Sequence, residues 1–129
     1  MTTSSAGIEF RQVSKRYGAA ADAPLAVNHI SVAVPRGTLT TILGPSGCGK
    51  TTTLRMIAGL ETPSAGCIFI DGQDVTALSP AQRNVSMVFQ SYALFPHMDV
   101  LANVSYGLDV SGVAKVEAKR RAQATLASV

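Results

Sequence analysis

The sequence has no apolar run long enough to cross a bilayer. A membrane-spanning helix needs about 18 or more consecutive apolar residues. The longest stretch without a charged residue, residues 84–98, is interrupted by Gln90 and Pro96. The first seven residues contain neither a basic nor an apolar region. We therefore expect residues 1–7 to form a short disordered lead and not a signal peptide.

Cysteine and charge are also sparse. Cys48 and Cys67 are the two cysteines, too few for a disulfide framework and without metal-ligand spacing. Free thiols fit a reducing cytoplasm. The formal net charge of +3 is a mild excess that does not indicate nucleic acid as a partner. The basic run at residues 115–121 is typical of a solvated helix face, because Glu117 lies four residues before Arg121.

The remaining pattern predicts one modest domain that contains both strands and helices. The length of 129 residues and the apolar fraction of 47% suit a globular core. Alternation and β-branched residues predict strands at residues 8–13, 25–34, 38–43, 67–70 and 85–89. Helical spacing predicts a helix over residues 50–58 that Gly59 ends. A second helix, capped by Asp99, should run to about Gly107, and a third should cover residues 115–129.

A phosphate-binding loop lies between the predicted strand at residues 38–43 and the predicted helix that follows it. Gly44, Gly49, Lys50 and Thr51 have the Walker A spacing in the context of a strand, a loop and a helix. The glycines let backbone N–H groups wrap a phosphate, and the helix N-terminus adds its positive dipole end. Lys50 brings a full positive charge to the phosphates, and the Thr51 hydroxyl is placed for Mg²⁺. The alternative is a glycine-rich turn that binds nothing.

Two long segments resemble one protein family. Residues 44–61, GPSGCGKTTTLRMIAGLE, look like the Walker A segment of ABC importer ATPases. Residues 87–97, MVFQSYALFPH, resemble the Q-loop segment of the branch that serves maltose, polyamine, ferric-iron, sulfate and phosphonate-type importers. The resemblance implies a truncated α/β P-loop NTPase of the ABC type over residues 8–129. That part would hold the N-terminal β-subdomain, the phosphate-loop core and the start of a helical subdomain near residue 91.

The resemblance also implies site residues for ATP and Mg²⁺. Tyr17 matches the aromatic residue that stacks on adenine, although it could be an ordinary half-buried tyrosine. Gln90 matches the glutamine that reaches Mg²⁺ or the attacking water, although it could be a polar strand end. Thr51 and Gln90 would ligate the metal, and Lys50 and Gln90 would serve catalysis. The residues implied to bind the nucleotide are Tyr17, Gly44, Pro45, Ser46, Gly47, Cys48, Gly49, Lys50, Thr51 and Thr52.

The family pattern further implies partners. The segment from Ser91 to Met98 matches the surface where a transmembrane permease subunit docks, with Tyr92, Leu94 and Phe95 offering apolar area. Those three side chains could instead be packed locally. Homodimerisation is implied for the full-length family, with a cytoplasmic location on the inner face of the membrane and no nucleic acid.

Other family motifs are not found in these 129 residues. The signature, the Walker B acidic pair and the switch histidine are absent from the sequence. None of Glu9, Glu61 and Glu117 is placed as the family's general base. We therefore expect ATP binding without efficient hydrolysis. The alternatives are a non-catalytic remnant that binds a nucleotide or a partner, and another P-loop NTPase such as a kinase or GTPase, which the Q-loop segment disfavours.

Overall fold

The computed structural model describes residues 6–18 and 22–129. These residues form two compact units, which we call the N-terminal unit, Met1–Met87, and the C-terminal unit, Val88–Val129. Of the lead expected at residues 1–7, the first five lie outside the described residues, and Ala6 and Gly7 belong to the first strand.

An antiparallel sheet of four strands dominates the N-terminal unit. Its strands are β1 (Ala6–Arg16), β2 (Leu25–Pro35), β3 (Ala65–Ile70) and β4 (Gln73–Asp74), in the order β2-β1-β3-β4. Phe10 lies at the centre, opposite Val32 on one side and Ile68 on the other. The alternation at residues 8–13 and 25–34 therefore predicted both long strands correctly.

Helix α1 (Lys50–Ala58) supplies the other side of the core, and its predicted bounds are confirmed. Met56 is fully buried, in one cluster with Phe10, Val13 and Ile68. Gly59 ends the helix in the left-handed conformation, with a φ of 78°. The Gly59 N–H donates to Met56 O and the following N–H to Arg55 O, as in a Schellman motif.

Arg83 fixes the C-terminal end of α1 and was not singled out from the sequence. Its buried guanidinium donates to the carbonyl oxygens of Met56 at 2.7 Å and Ile57 at 3.1 Å. The same group donates to the carbonyls of Leu78 and Thr76. Burial lowers the pKa of Arg83, since no carboxylate offsets the lost hydration. The helix end is thus tied to the turn around the 3-10 helix Pro80–Gln82.

Two predicted strands are not formed. Neither residues 38–43 nor residues 85–89 belong to a strand in the described chain. Leu39 is 97% exposed, and Leu43 and Val88 are also largely exposed. A strand is stable only where neighbours satisfy its backbone groups. Among the described residues, no strand pairs with either segment, so their apolar side chains stay on the surface.

The C-terminal unit consists of a loop and two helices, α2 (Val100–Val110) and α3 (Lys115–Leu126). Asp99 caps α2 as predicted, accepting from Ala102 N at 2.7 Å. The prediction of α3 is also confirmed, apart from its last three residues. Glu117 on α3 pairs with Arg120 and Arg121, which lowers the pKa of Glu117 to about 2. No helix among the described residues is both long and apolar enough to span a membrane.

We predict that the 129-residue chain self-associates through its unpaired extended segments. Exposed apolar segments with free backbone groups recruit other chains, so sedimentation velocity should show a weight-average mass that rises with concentration. Leu39→Lys should lower this association, because a charge on an extended edge opposes pairing. Val116→Lys is the matched control, since Val116 is 85% exposed but lies on α3.

Extending the chain to include the signature and Walker B segments should also suppress association, since the resemblance implies a strand beside residues 38–43. A monomeric 129-residue chain with a sharp thermal transition would contradict this prediction. If Leu39→Lys and Val116→Lys lowered association equally, added charge at any exposed position would account for the effect, and the extended segment around Leu39 would have no special role.

Candidate functional site

Glycines shape the loop between residue 43 and helix α1. Gly47 and Gly49 have φ values of 79° and 94°, in the region that favours glycine. Gly49 is the residue before α1, and a Cβ there would collide with Ala26 O and press on Val27. The loop is therefore seated directly on the backbone of β2. A side chain at this position would push the start of the helix off the sheet.

The ammonium of Lys50 lies across this loop. Its Nζ donates to Gly44 O at 2.7 Å and to Pro45 O at 2.6 Å, and it lies 3.5 Å from Cys48 Sγ. In the described residues no carboxylate lies within ion-pair distance of Lys50. An uncompensated cation beside the N-terminus of a helix is a favourable place for an anion.

The threonines after Lys50 point to different partners. Thr53 donates back to Gly49 O at 2.9 Å and closes the first helical turn. Thr52 Oγ1 lies 3.4 Å from the Tyr17 hydroxyl. The exposed Thr51 hydroxyl has no hydrogen-bond partner among the described residues. Its oxygen is thus available to a hard cation such as Mg²⁺, which takes oxygen ligands and keeps several waters.

Tyr17 is brought to the same end of α1 from the sheet. It follows the last residue of β1, and 48% of its surface is exposed. The structure therefore places Tyr17 beside Thr52, 35 positions later in the chain. Two of the predicted nucleotide contacts, the aromatic ring and the phosphate loop, meet at one helix N-terminus.

A cavity of about 720 Å³ opens next to the loop. One wall is β2, the opposite wall is the extended segment at residues 40–43, and Cys48, Gly49 and Lys50 lie along it. This cavity was not predicted, because the motif spacing does not show that β2 and residues 40–43 lie on opposite sides of it.

Gln90 belongs to the C-terminal unit, so the structure does not test its predicted role at the phosphate loop. It begins a turn in which Tyr92 N donates to Phe89 O at 2.9 Å. Tyr92 and Ala93 both have positive φ values, 61° and 49°, which are unusual for residues with side chains. Tyr92 and Leu94 are exposed, whereas the half-buried Phe95 packs on Tyr106 with ring centroids 4.5 Å apart. Local packing therefore accounts for Phe95 but not for the other two.

The described residues contain no cluster of His, Cys, Asp and Glu that could hold a metal ion. A metal at this site would depend on hydroxyl, amide and phosphate oxygens. Thr51 fits that requirement, and the assignment of Gln90 stays a prediction.

The sequence profile of the ABC transporter family matches residues 27–129. The Fe(3+) ions import ATP-binding protein FbpC of Escherichia coli (strain K12) is 53% identical over 122 residues, which make up 95% of this chain and 34% of that protein. FbpC 1 of Rhizobium meliloti (strain 1021) is 56% identical over 122 residues, 95% of this chain and 33% of that protein. The chain spans about a third of the length of these curated relatives.

Solved structures show the same fold. The post-hydrolysis dimer of the ATP-binding cassette MJ0796, bound to ADP and Pi, superposes with a TM-score of 0.79 at 27% identity, covering 90% of this chain and 54% of that one. A second dimeric structure of MJ0796, a bacterial ABC transporter cassette, gives a TM-score of 0.78 at 28% identity over 88% of this chain and 53% of that one.

The exposure of the two cysteines leads to a prediction about thiol labelling. Cys48 is exposed in the phosphate loop and Cys67 is half-buried in β3. We expect a maleimide to modify Cys48 faster than Cys67. Saturating MgATP should slow the reaction of Cys48 alone, because phosphates and the adduct would need the same space. Peptide mass spectrometry reads both sites, with Cys67 as the internal control, and equal Cys48 labelling with and without MgATP would contradict the prediction.

Proposed function

Because the chain belongs to the ABC transporter family, we propose that it is the ATP-binding part of an importer's ATPase subunit. In the complete subunit, ATP binding and hydrolysis would drive solute uptake. The observation that carries the proposal is the seated phosphate loop with Lys50 lying across it. Family membership removes the kinase and GTPase alternatives. The FbpC relatives favour ferric iron as the solute.

Nucleotide binding would replace the hydrogen bonds from Lys50 to the loop carbonyls with hydrogen bonds from Lys50 to the phosphates. Lys50 Nζ now donates to two loop carbonyls. A triphosphate in the loop would offer charged oxygens in place of those neutral ones, and charge-assisted hydrogen bonds are about twice as strong. The N–H groups at the start of α1 would add further donors. The carbonyl oxygens of Gly44 and Pro45 thus keep the Lys50 ammonium beside the loop, where the phosphates would bind.

Tyr17 would bind the other end of the nucleotide. Its exposed ring lies at the same helix terminus as the phosphate loop. Stacking of a base on an aromatic side chain is worth about 1–3 kcal/mol. Mg²⁺ would be held by Thr51, by Gln90 and by phosphate oxygens, and it would offset the charge of the triphosphate. Thr51 and Tyr17 would then set the distance between base and phosphates.

We propose that the C-terminal unit supplies the contact with a transmembrane permease subunit. In the segment from Ser91 to Met98, Tyr92 and Leu94 expose apolar surface that no local packing covers. In the complete protein this contact would place the subunit on the cytoplasmic face of the membrane, and two copies would form the working dimer. The dimeric cassettes of known structure support that arrangement.

The first prediction from this proposal concerns Lys50. Lys50→Ala should weaken MgATP binding at least about tenfold, because the lost charge-assisted hydrogen bonds are worth about 1.5–3 kcal/mol. Isothermal calorimetry on the monomer fraction measures the affinity. Lys119→Ala, which removes an exposed lysine from α3, is the matched control and should bind like the parent chain. Equal binding by Lys50→Ala and the parent would refute the role of the loop.

The second prediction is that the 129-residue chain does not turn over ATP efficiently. All three glutamates are engaged, Glu9 with Arg11, Glu61 with Lys15 and Glu117 with two arginines. None of them is free to activate water near the loop. Phosphate release should stay at the level of the Lys50→Ala variant. Steady release by the parent chain that Lys50→Ala abolishes would show that a base has been overlooked.

A further inference from the structure

Lys15 lies beneath the ring of Tyr17. Its Nζ is 5.0 Å from the centroid of that ring, within the range of a cation–π interaction. Lys15 is the second-to-last residue of β1 and Tyr17 follows the last one, so both side chains lie at the same end of the strand. The Lys15 side chain is only 13% exposed, although lysine side chains are rarely buried.

Two contacts hold Lys15 in this place. Its ammonium pairs with Glu61 Oε2 at 3.0 Å and donates to Thr62 O at 2.8 Å. Glu61 follows the C-terminal end of α1, where Arg55 Nε also lies 3.9 Å from its other carboxylate oxygen. Glu61 and Thr62 therefore fix the Lys15 ammonium from the end of α1, and the same ammonium lies near the Tyr17 ring, which follows β1.

We propose that Lys15 is a positioning residue for the Tyr17 ring and, through the ring, for the nucleotide base. The inference rests on the proposed function, since it requires that a base stacks on Tyr17. Lys15 supports one face of the ring and leaves the other for the base. In the part of the chain that the structure describes, the one hydrogen bond of the ring is the long contact of 3.4 Å between its hydroxyl and Thr52 Oγ1. A mobile ring has to be ordered on binding, which lowers affinity.

A direct attraction between Lys15 and the phosphates is the competing explanation. The carboxylate of Glu61 already offsets the charge of Lys15 at 3.0 Å, so the pair has little net charge to act at a distance. The two explanations differ in which ligands they affect. A positioning residue for the ring changes only binding that uses the base, whereas an attractive charge changes binding of any polyphosphate.

The experiment compares MgATP with magnesium tripolyphosphate, which has the phosphates but no base. Calorimetry on the monomer fraction gives the affinity of each ligand for the parent chain and for Lys15→Met. We expect Lys15→Met to weaken MgATP binding about two- to fivefold, the size of a cation–π contribution at a ring that is half exposed, and to leave tripolyphosphate binding unchanged. Lys15→Arg should restore the preference for MgATP, because it keeps a cation beneath the ring.

Arg11→Met is the matched control. Arg11 is also on β1, lies over an aromatic ring (Phe69, 4.1 Å to the centroid) and pairs with a glutamate, but it is not near Tyr17. It should change neither affinity. In a Tyr17→Ala background, Lys15→Met should have no further effect on MgATP. If Lys15→Met fails to show the parent's far-UV circular dichroism spectrum, Lys15→Gln replaces it, because glutamine keeps a donor for Thr62 O while removing the cation; the same loss confined to MgATP is expected.

The outcomes separate this inference from the function it rests on. Equal weakening of both ligands, or a loss that persists without the Tyr17 ring, would overturn the positioning role and favour direct attraction. A parent chain that prefers MgATP and is unaffected by Lys15→Met would overturn the inference alone. A parent chain that binds both ligands equally would refute the stacking role of Tyr17 as well.

Discussion

The contact between Gly49 and the backbone of β2 determines where the whole site lies. Because residue 49 has no Cβ, the helix N-terminus can rest on Ala26 O, and its left-handed φ of 94° turns the chain from loop into helix. The positions of the residues proposed to bind the nucleotide follow from this placement of the helix N-terminus. Lys50 is the next residue, Thr51 and Thr52 complete the first turn, and Thr52 is near enough to contact Tyr17.

Helix α1 is held at its other end by charge. Arg83 donates to carbonyls of the last turn, where the helix dipole is negative. Lys15, Glu61 and Arg55 form a second tie just beyond it. Arg83 is buried among the carbonyl oxygens to which it donates. Lys50, at the opposite end, donates to two loop carbonyls and lies beside a thiol. Its positive charge adds to the positive end of the helix dipole, which is where the anion would bind.

Local signals in the sequence predicted the local parts of this structure. The bounds of α1, its end at Gly59 and the cap at Asp99 depend on neighbouring residues, and all three predictions were confirmed. The strands at residues 38–43 and 85–89 failed because a strand is completed by residues far away in sequence. Arg83 and Lys15 were missed for the same reason. Their roles depend on carbonyls and carboxylates 26 to 47 positions away, which no motif spacing records.

Phosphate binding and hydrolysis thus make different demands on the chain. The phosphate loop rests on the backbone of β2, and the N-terminus of α1 provides the positive end of a helix dipole. Arg83 fixes the other end of α1, and all three lie within the N-terminal unit. None of these contacts uses residues 38–43, so all of them form although that segment is not a strand. The family resemblance implies a glutamate as the base for water, and each of the three glutamates here forms an ion pair. Since the chain spans about a third of its relatives' length, we place the proposed binding function in this part and assign hydrolysis to the complete subunit.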